Sequence, residues 1–192
     1  MERYKAIILI GPPGSGKGTQ AKLLPSDRFI HISTGEMCRS ANTKTKIGKQ
    51  IKEFIDSGNF IPDNIMVSLL KNNLDELEKS KKYNPEKHTL ILDGIPRNKS
   101  QIEMIKGFID IEKIVSLKIS DEEIKKRLLN RSKIEGRKDD SNEAIITHRI
   151  EVFKTQTLEA INSFDNFFEL ESDGMAEEVN KRLLNLLEKS SN

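Results

Sequence analysis

Lys5-Ala6-Ile7-Ile8-Leu9-Ile10 runs directly into Gly11-Pro12-Pro13-Gly14-Ser15-Gly16-Lys17-Gly18-Thr19, and this stretch decides the fold. Its first part is short, apolar and rich in β-branched residues, and Gly11-Pro12 stops it, which predicts a buried strand over residues 5–10. Residues 17–24 predict a helix checked by Pro25. A glycine-rich loop between a strand and a helix, with a lysine where the helix opens, is suited to phosphate. The glycines let backbone N–H groups turn inward, and the helix start adds free donors and partial positive charge. Lys17 supplies a point charge for β- and γ-phosphates. Gly14, Ser15, Gly16, Lys17, Gly18 and Thr19 are therefore the candidate residues for a nucleoside triphosphate. Gly18 follows the lysine where many such loops carry Ser or Thr, so the hydroxyl that would approach Mg2+ is displaced to Thr19.

Outward from this loop, strand-like and helix-like segments alternate. Strands are predicted at 29–33, 88–92, 114–119 and 167–170, and helices at 46–56, 63–78, 101–108, 121–131, 140–162 and 176–188. Asp121 is the expected cap of one helix, and Asp140 or Ser141 of the next. Strands joined by helical crossovers imply an α/β protein with a five-stranded parallel sheet flanked by helices. There are no repeats or long linkers. One domain over 1–192 is expected, with two excursions from the sheet, at about 33–73 and 131–140.

Composition narrows the function classes. The 192 residues carry 32 Lys or Arg against 30 Asp or Glu, a net charge of +2, which argues against a dedicated nucleic-acid binder. No apolar run approaches the roughly 20 residues of a membrane helix. The single cysteine, Cys38, excludes an internal disulfide and a zinc site built from cysteines alone. A soluble cytoplasmic protein is the expectation.

The stretch Gly11 to Gln20 resembles the adenylate kinases, and further segments match in that family's order. These are His31-Ile-Ser-Thr34-Gly35-Glu36-Met-Cys38-Arg39, Gly58-Asn59-Phe60-Ile61-Pro62-Asp63, Leu92-Asp93-Gly94-Ile95-Pro96-Arg97 with Gln101, and Arg127-Leu-Leu-Asn-Arg131 followed by Gly136-Arg137-Lys138-Asp139-Asp140. The departures are Glu36 for the more usual Asp, Ile95 for Phe, and Glu159 where Pro is frequent. From Asp140 to Arg149 the chain is one residue longer than the family's spacing. At about 100° of rotation per helical residue, the extra residue must be absorbed at the helix start if Arg149 is to face the cleft.

The resemblance implies the P-loop NTPase fold with a helical acceptor-binding insertion and a short lid. It also implies reversible transfer of a phosphoryl group from ATP to AMP, giving two ADP, by a monomer that uses Mg2+. Six of the nine arginines fall at family positions. Among them Arg39 and Arg97 would hold the acceptor phosphate, and Arg131, Arg137 and Arg149 would converge on the transferring group, the last two also reaching the acceptor. Arg127 and Gly174 would flank the donor base, and Asp93 would hold Mg2+ through water. The acceptor site would comprise Thr34, Gly35, Arg39, Asn59, Phe60, Ile61, Gly94, Arg97 and Gln101. Arginine suits the task because its planar fork binds phosphate oxygens in pairs. Thr34 and Gln101 favour AMP, since an amide can both donate to and accept from adenine's edge. Uridylate–cytidylate kinase activity is the nearest alternative, followed by a GTP-using AMP kinase, a non-catalytic nucleotide-binding module and a small-metabolite kinase. The Asp139-Asp140 pair reads as part helix cap and part contact with the basic groups of the lid. His31, His88 and His148 read as strand-end or surface residues.

Overall fold

A computed structural model of the chain describes residues 3–162 and 164–188. Five parallel strands form one sheet in the order β2-β3-β1-β4-β5: β1 Tyr4–Ile10, β2 Phe29–Ser33, β3 Thr89–Asp93, β4 Ile109–Lys118 and β5 Phe167–Glu171. The inner strands β1 and β3 are apolar on both faces because helices cover both. Period-two alternation divides their side chains between two cores. Ala6, Ile8, Ile10, Leu90 and Leu92 face a layer containing Leu70 and Leu74 of α4 (Asp63–Lys79) and Ile102 of α5 (Lys99–Ile105). Ile7, Leu9, Ile91, Val115 and Leu117 face Ala21 of α1 (Lys17–Leu23) and Val179 and Leu183 of α9 (Ala176–Glu188). A third cluster joins Ile124 and Leu128 of α6 (Asp121–Glu135) to Ile146 and Ile150 of α7 (Glu143–Val152).

The class and strand count agree with the sequence reading, while several boundaries differ for identifiable reasons. Asp93 is the last residue of β3 and not the residue that breaks it, which fixes its carboxylate at the strand's carboxyl end. β4 begins at Ile109, ahead of the predicted 114, because Lys113 is an inward-facing charge that interrupts the apolar pattern. Its Nζ donates to the carbonyls of Leu186 and Leu187 near the end of α9, where a cation is favoured. A short helix, α2 (Thr34–Arg39), follows β2 directly, capped by Ser33 Oγ, which accepts from Glu36 N–H at 3.3 Å. α3 is Lys46–Ser57.

α6 continues to Glu135, beyond the predicted stop near 131, and ends on Gly136 at φ 66°. The segment predicted as one helix over 140–162 is a 3-10 turn Lys138–Asp140, then α7, a π-helical stretch Phe153–Leu158 and α8 (Glu159–Ile161). Neither Asp140 nor Ser141 caps α7. Asn142 does, its Oδ1 accepting from Ala144 N–H at 2.9 Å and Ile145 N–H at 3.3 Å. No helix among the described residues is long and apolar enough to cross a membrane.

Candidate functional site

The carboxyl ends of β1, β2 and β3 open onto one cleft, the usual ligand position in a parallel sheet. The loop after β1 turns into α1 at Gly16, whose φ of 93° is open to glycine and strained for other residues. No side chain caps α1, which leaves its first N–H groups without a side-chain acceptor. Lys17 Nζ donates to Gly11 O at 2.8 Å, Pro12 O at 3.1 Å and Ser15 Oγ at 3.4 Å, and so lies within the curl of its own loop. Burial pushes its ammonium down to about 8; Asp93 opposes the shift, and Arg97, Arg131 and Arg149 add to it.

Asp93 sits across from α1, its Oδ2 3.6 Å from the place a Cβ on Gly18 would take. Burial acts to raise its pKa. His31, 3.6 Å from Oδ2, together with Lys17 and Arg97, outweighs this and keeps the carboxyl below the ordinary range. Gly94 then turns at φ 90°, and a Cβ there would lie 2.5 Å from Thr34 Oγ1 and 3.2 Å from Arg97 Nη2. Thr34 is fully buried and donates to Asp93 O at 3.1 Å.

Seven cations line the central cavity of about 220 Å3: Lys17, Lys22, Arg39, Arg97, Arg131, Arg137 and Arg149. Four of them carry a carboxylate partner. Lys22 pairs with Glu36 at 2.7 Å, Arg137 with Glu135 at 2.6 Å, and Arg131 with Asp140 at 2.6 Å. Arg149 reaches both Asp139 at 2.7 Å and Asp140 at 2.8 Å. Asp140 is fully buried; burial favours its neutral form, but Arg131 and Arg149 hold it below the usual carboxylate range. Among the described residues, Lys17, Arg39 and Arg97 have no ion-pair partner. Arg39 folds over Gly35, within 3.2 Å of a Cβ built there. Arg97 donates from Nε to Gly94 O at 2.7 Å and lies 5.1 Å above the Phe60 ring.

The cleft continues in two directions. On one side Arg127 and Gly174 border a cavity of about 450 Å3 shared with Gly14, Ser15, Gly16 and Thr19. Arg127 is held there by Glu123 at 3.1 Å and Ser172 O at 3.3 Å. On the other side Thr34, Gly35, Asn59, Phe60, Ile61 and Gln101 border a smaller cavity of about 70 Å3. The turn at Gly58 and Asn59 packs on α7. His148 Nε2 is 3.1 Å from Asn59 Oδ1, and a Cβ on Gly58 would lie 2.8 Å from Ile145 Cγ2. All the candidate residues thus border this cleft or its two extensions. A 3-10 turn and the Asn142 cap separate Asp140 from the start of α7, and Arg149 faces the cleft.

The family model described as adenylate kinase matches residues 9–168. The chain belongs to the adenylate kinase family. An adenylate kinase of Micrococcus luteus is 32% identical over 188 residues, covering 93% of this chain and 88% of its own length. Those of Parabacteroides distasonis (37% over 158 residues, 79% of each chain) and Stenotrophomonas maltophilia (34% over 188 residues, 93% and 96%) are similarly related. The chain is accordingly a nucleoside monophosphate kinase with the P-loop fold of the adenylate kinases.

Several contributors to this adenylate kinase cleft have roles that the sequence reading does not assign, although Asp63 and His31 fall within its motifs. Thr157 donates to Arg97 O at 2.9 Å from the π-helical stretch, and Asp63 accepts from Gln101 Nε2 at 2.8 Å. His31 reads in the sequence as an ordinary strand-end residue; the fold sets it beside Asp93. Each is separated from its partner by tens of residues, so only the folded chain brings them together. Among the described residues no group of three or more His, Cys, Asp or Glu could hold a metal ion. One ionised carboxylate beside a phosphate loop still fits Mg2+, which takes one or two carboxylates and completes its shell with water and substrate phosphates.

Proposed function

We propose that this chain catalyses reversible, magnesium-dependent phosphoryl transfer from ATP to AMP, giving two ADP. The observation that carries the reading is the set Lys17, Arg39 and Arg97. These are three cations without carboxylate partners among the described residues, in one cleft between two cavities. A cleft that gathers uncompensated positive charge at the carboxyl ends of parallel strands is suited to bind polyphosphate.

In this reading the α1 N-terminus and Lys17 hold the β- and γ-phosphates, with the donor base in the larger cavity beside Arg127 and Gly174. Arg39 and Arg97 hold the acceptor phosphate. An oxygen of that phosphate attacks the γ-phosphorus in line as the bond to the β–γ bridging oxygen breaks, and the former donor leaves as ADP. Arg131, Arg137 and Arg149 spread the charge of the transferring group. No general base is needed, because the attacking oxygen is already anionic at neutral pH. Asp93 and Thr19 would lie nearest to Mg2+, Asp93 through water; the ion supplies charge neutralisation across the phosphates. The acceptor cavity of about 70 Å3 is continuous with the central cleft, and segment 33–73 opens to admit AMP and closes again. Segment 131–140 serves as the short lid. The enzyme works as a monomer in the cytoplasm to balance adenine nucleotides.

The test is incubation of the purified protein with ADP and Mg2+. ATP and AMP should form in equal amounts, and EDTA should stop their formation. No conversion of ADP would overturn the reading.

A further inference from the structure

The acceptor-side cavity contains one buried amide whose orientation the protein itself dictates. Gln101 is 1% exposed. Its Oε1 accepts from Arg97 N–H at 2.8 Å, and its Nε2 donates to Asp63 Oδ1 at 2.8 Å. The two partners leave no ambiguity, since a backbone N–H can only donate and a carboxylate can only accept. Rotating the amide by half a turn would set N–H against N–H and oxygen against carboxylate, replacing two hydrogen bonds by two repulsions in a buried place.

Asp63 is itself held. It is the first residue of α4, and its Oδ1 also accepts from Asn98 Nδ2 at 3.0 Å. Asn98 Oδ1 in turn accepts from Gln101 N–H at 2.8 Å, closing a ring of three side chains that ties α4 to α5. Burial works against the charged form of Asp63, but the hydrogen bonds from Asn98 and Gln101 prevail and keep the carboxyl below its usual range. Among the residues around it, Asp63 does not border the cavity, whereas Gln101 does.

We propose that Asp63 is a positioning residue that fixes which way the Gln101 amide faces the acceptor base, so that the site selects bases with an amino edge over bases with a keto edge. The proposal rests on the reading of this cavity as the acceptor-base site. The amide keeps one N–H and one oxygen lone pair beyond those used by Asp63 and Arg97, each at a fixed place. Adenine offers a ring-nitrogen acceptor beside an amino donor, and cytosine offers the same pair. Hypoxanthine, guanine and uracil offer a ring N–H donor beside a carbonyl acceptor, and so meet the fixed amide donor to donor and acceptor to acceptor. The lock thus excludes keto bases and by itself does not separate adenine from cytosine. An unlocked amide could turn to suit either edge.

The experiment compares AMP with inosine monophosphate, which differs at that edge alone, at saturating ATP and Mg2+ in the wild type, Asp63→Ala and Asp63→Asn. The wild type should prefer AMP in kcat/KM by at least about 100-fold, as expected of a site whose polar groups go unpaired with the wrong base. Asp63→Ala should lower that preference about 10-fold or more, with KM for AMP raised and kcat changed by no more than about 2-fold. Asp63→Asn retains an oxygen that can accept both bonds and should restore most of the preference. If Asp63→Ala does not fold, Asp63→Ser, too short to reach Gln101, replaces it. An unchanged preference in Asp63→Ala or Asp63→Ser overturns the positioning role alone. So does an Asn variant as impaired as the Ala variant, which would mark a merely structural carboxylate. A wild type that does not phosphorylate AMP overturns this inference together with the reading on which it rests.

Discussion

Lys17→Met removes a charge that the fold holds at a cost. Burial brings the ammonium from 10.5 to about 8. At roughly 1.4 kcal/mol per pH unit, the protonated side chain is disfavoured in the folded state by about 3 kcal/mol. Below pH 8 the lysine is protonated in both folded and unfolded chains, and this penalty is constant. Between pH 8 and 10.5 the folded protein has released the proton while the unfolded chain retains it, so wild-type stability rises with pH. Methionine removes both the penalty and the slope, but forfeits the ammonium's bonds to the Gly11 and Pro12 carbonyls, about 1.5–3 kcal/mol each. The two effects are opposite in sign and similar in size at pH 7, so the pH dependence of the stability difference is the diagnostic quantity. The stability of the variant relative to wild type should fall by about 2–3 kcal/mol between pH 7 and pH 10, whatever the lost bonds contribute.

Urea unfolding of both proteins at pH 7, 8, 9 and 10 measures this directly. Turnover of the variant, followed alongside, should fall by about 1,000-fold or more. Wild-type kcat/KM for ATP should decline above pH 8 as the free enzyme loses the charge. A stability difference between the two proteins that does not change from pH 7 to pH 10 would refute the account of Lys17.

Other substitutions test separate parts of the cleft. Asp140→Ala leaves Arg131 and Arg149 without their shared carboxylate. Because both arginines are partly solvated, the expected loss is about 1–3 kcal/mol, below the full cost of breaking a buried pair, with kcat also reduced; unchanged stability and kcat would contradict it. The Asp140 pKa is depressed in the folded state, so its contribution should be complete above about pH 4 and vanish as pH falls through the folded value, which an acid titration of Tm would show. Gly94→Ala forces a Cβ to 2.5 Å from Thr34 Oγ1 at φ 90° and should cost about 1–3 kcal/mol while raising KM for the acceptor; calorimetry with steady-state kinetics checks both. Asn142→Ala removes the cap of α7 and should lower stability by about 1 kcal/mol, measured by urea unfolding, whereas Ser141→Ala should not act through the cap.

What was legible in the sequence follows from how far apart the interacting residues lie. The loop from Gly11 to Thr19 has its strand, turn and helix in consecutive residues, so its local signals agree with one another. The cleft arginines could be picked out because they sit in short motifs with recognisable neighbours, except Arg149, which is placed by its spacing from Asp140. The roles of Asp63, Thr157 and His31 could not be read there, although Asp63 and His31 fall within motifs, since each acts on a partner brought close only by the crossovers between strands. Boundaries failed where one residue serves two purposes. Lys113 breaks the apolar rhythm of β4 because it caps another helix, and Asp140 resembles a helix cap but is spent on Arg131 and Arg149, leaving Asn142 to do the capping. The π-helical stretch that carries Thr157 to Arg97 has no composition of its own to announce it.

The central claim is that this cleft transfers a phosphoryl group to AMP. The most direct measurement is the rate of ADP formation from ATP and Mg2+ with AMP, CMP and UMP each offered as acceptor to the wild-type protein. Rapid turnover with AMP and far slower turnover with CMP and UMP is the predicted result; a strong CMP or UMP rate with negligible use of AMP would contradict it.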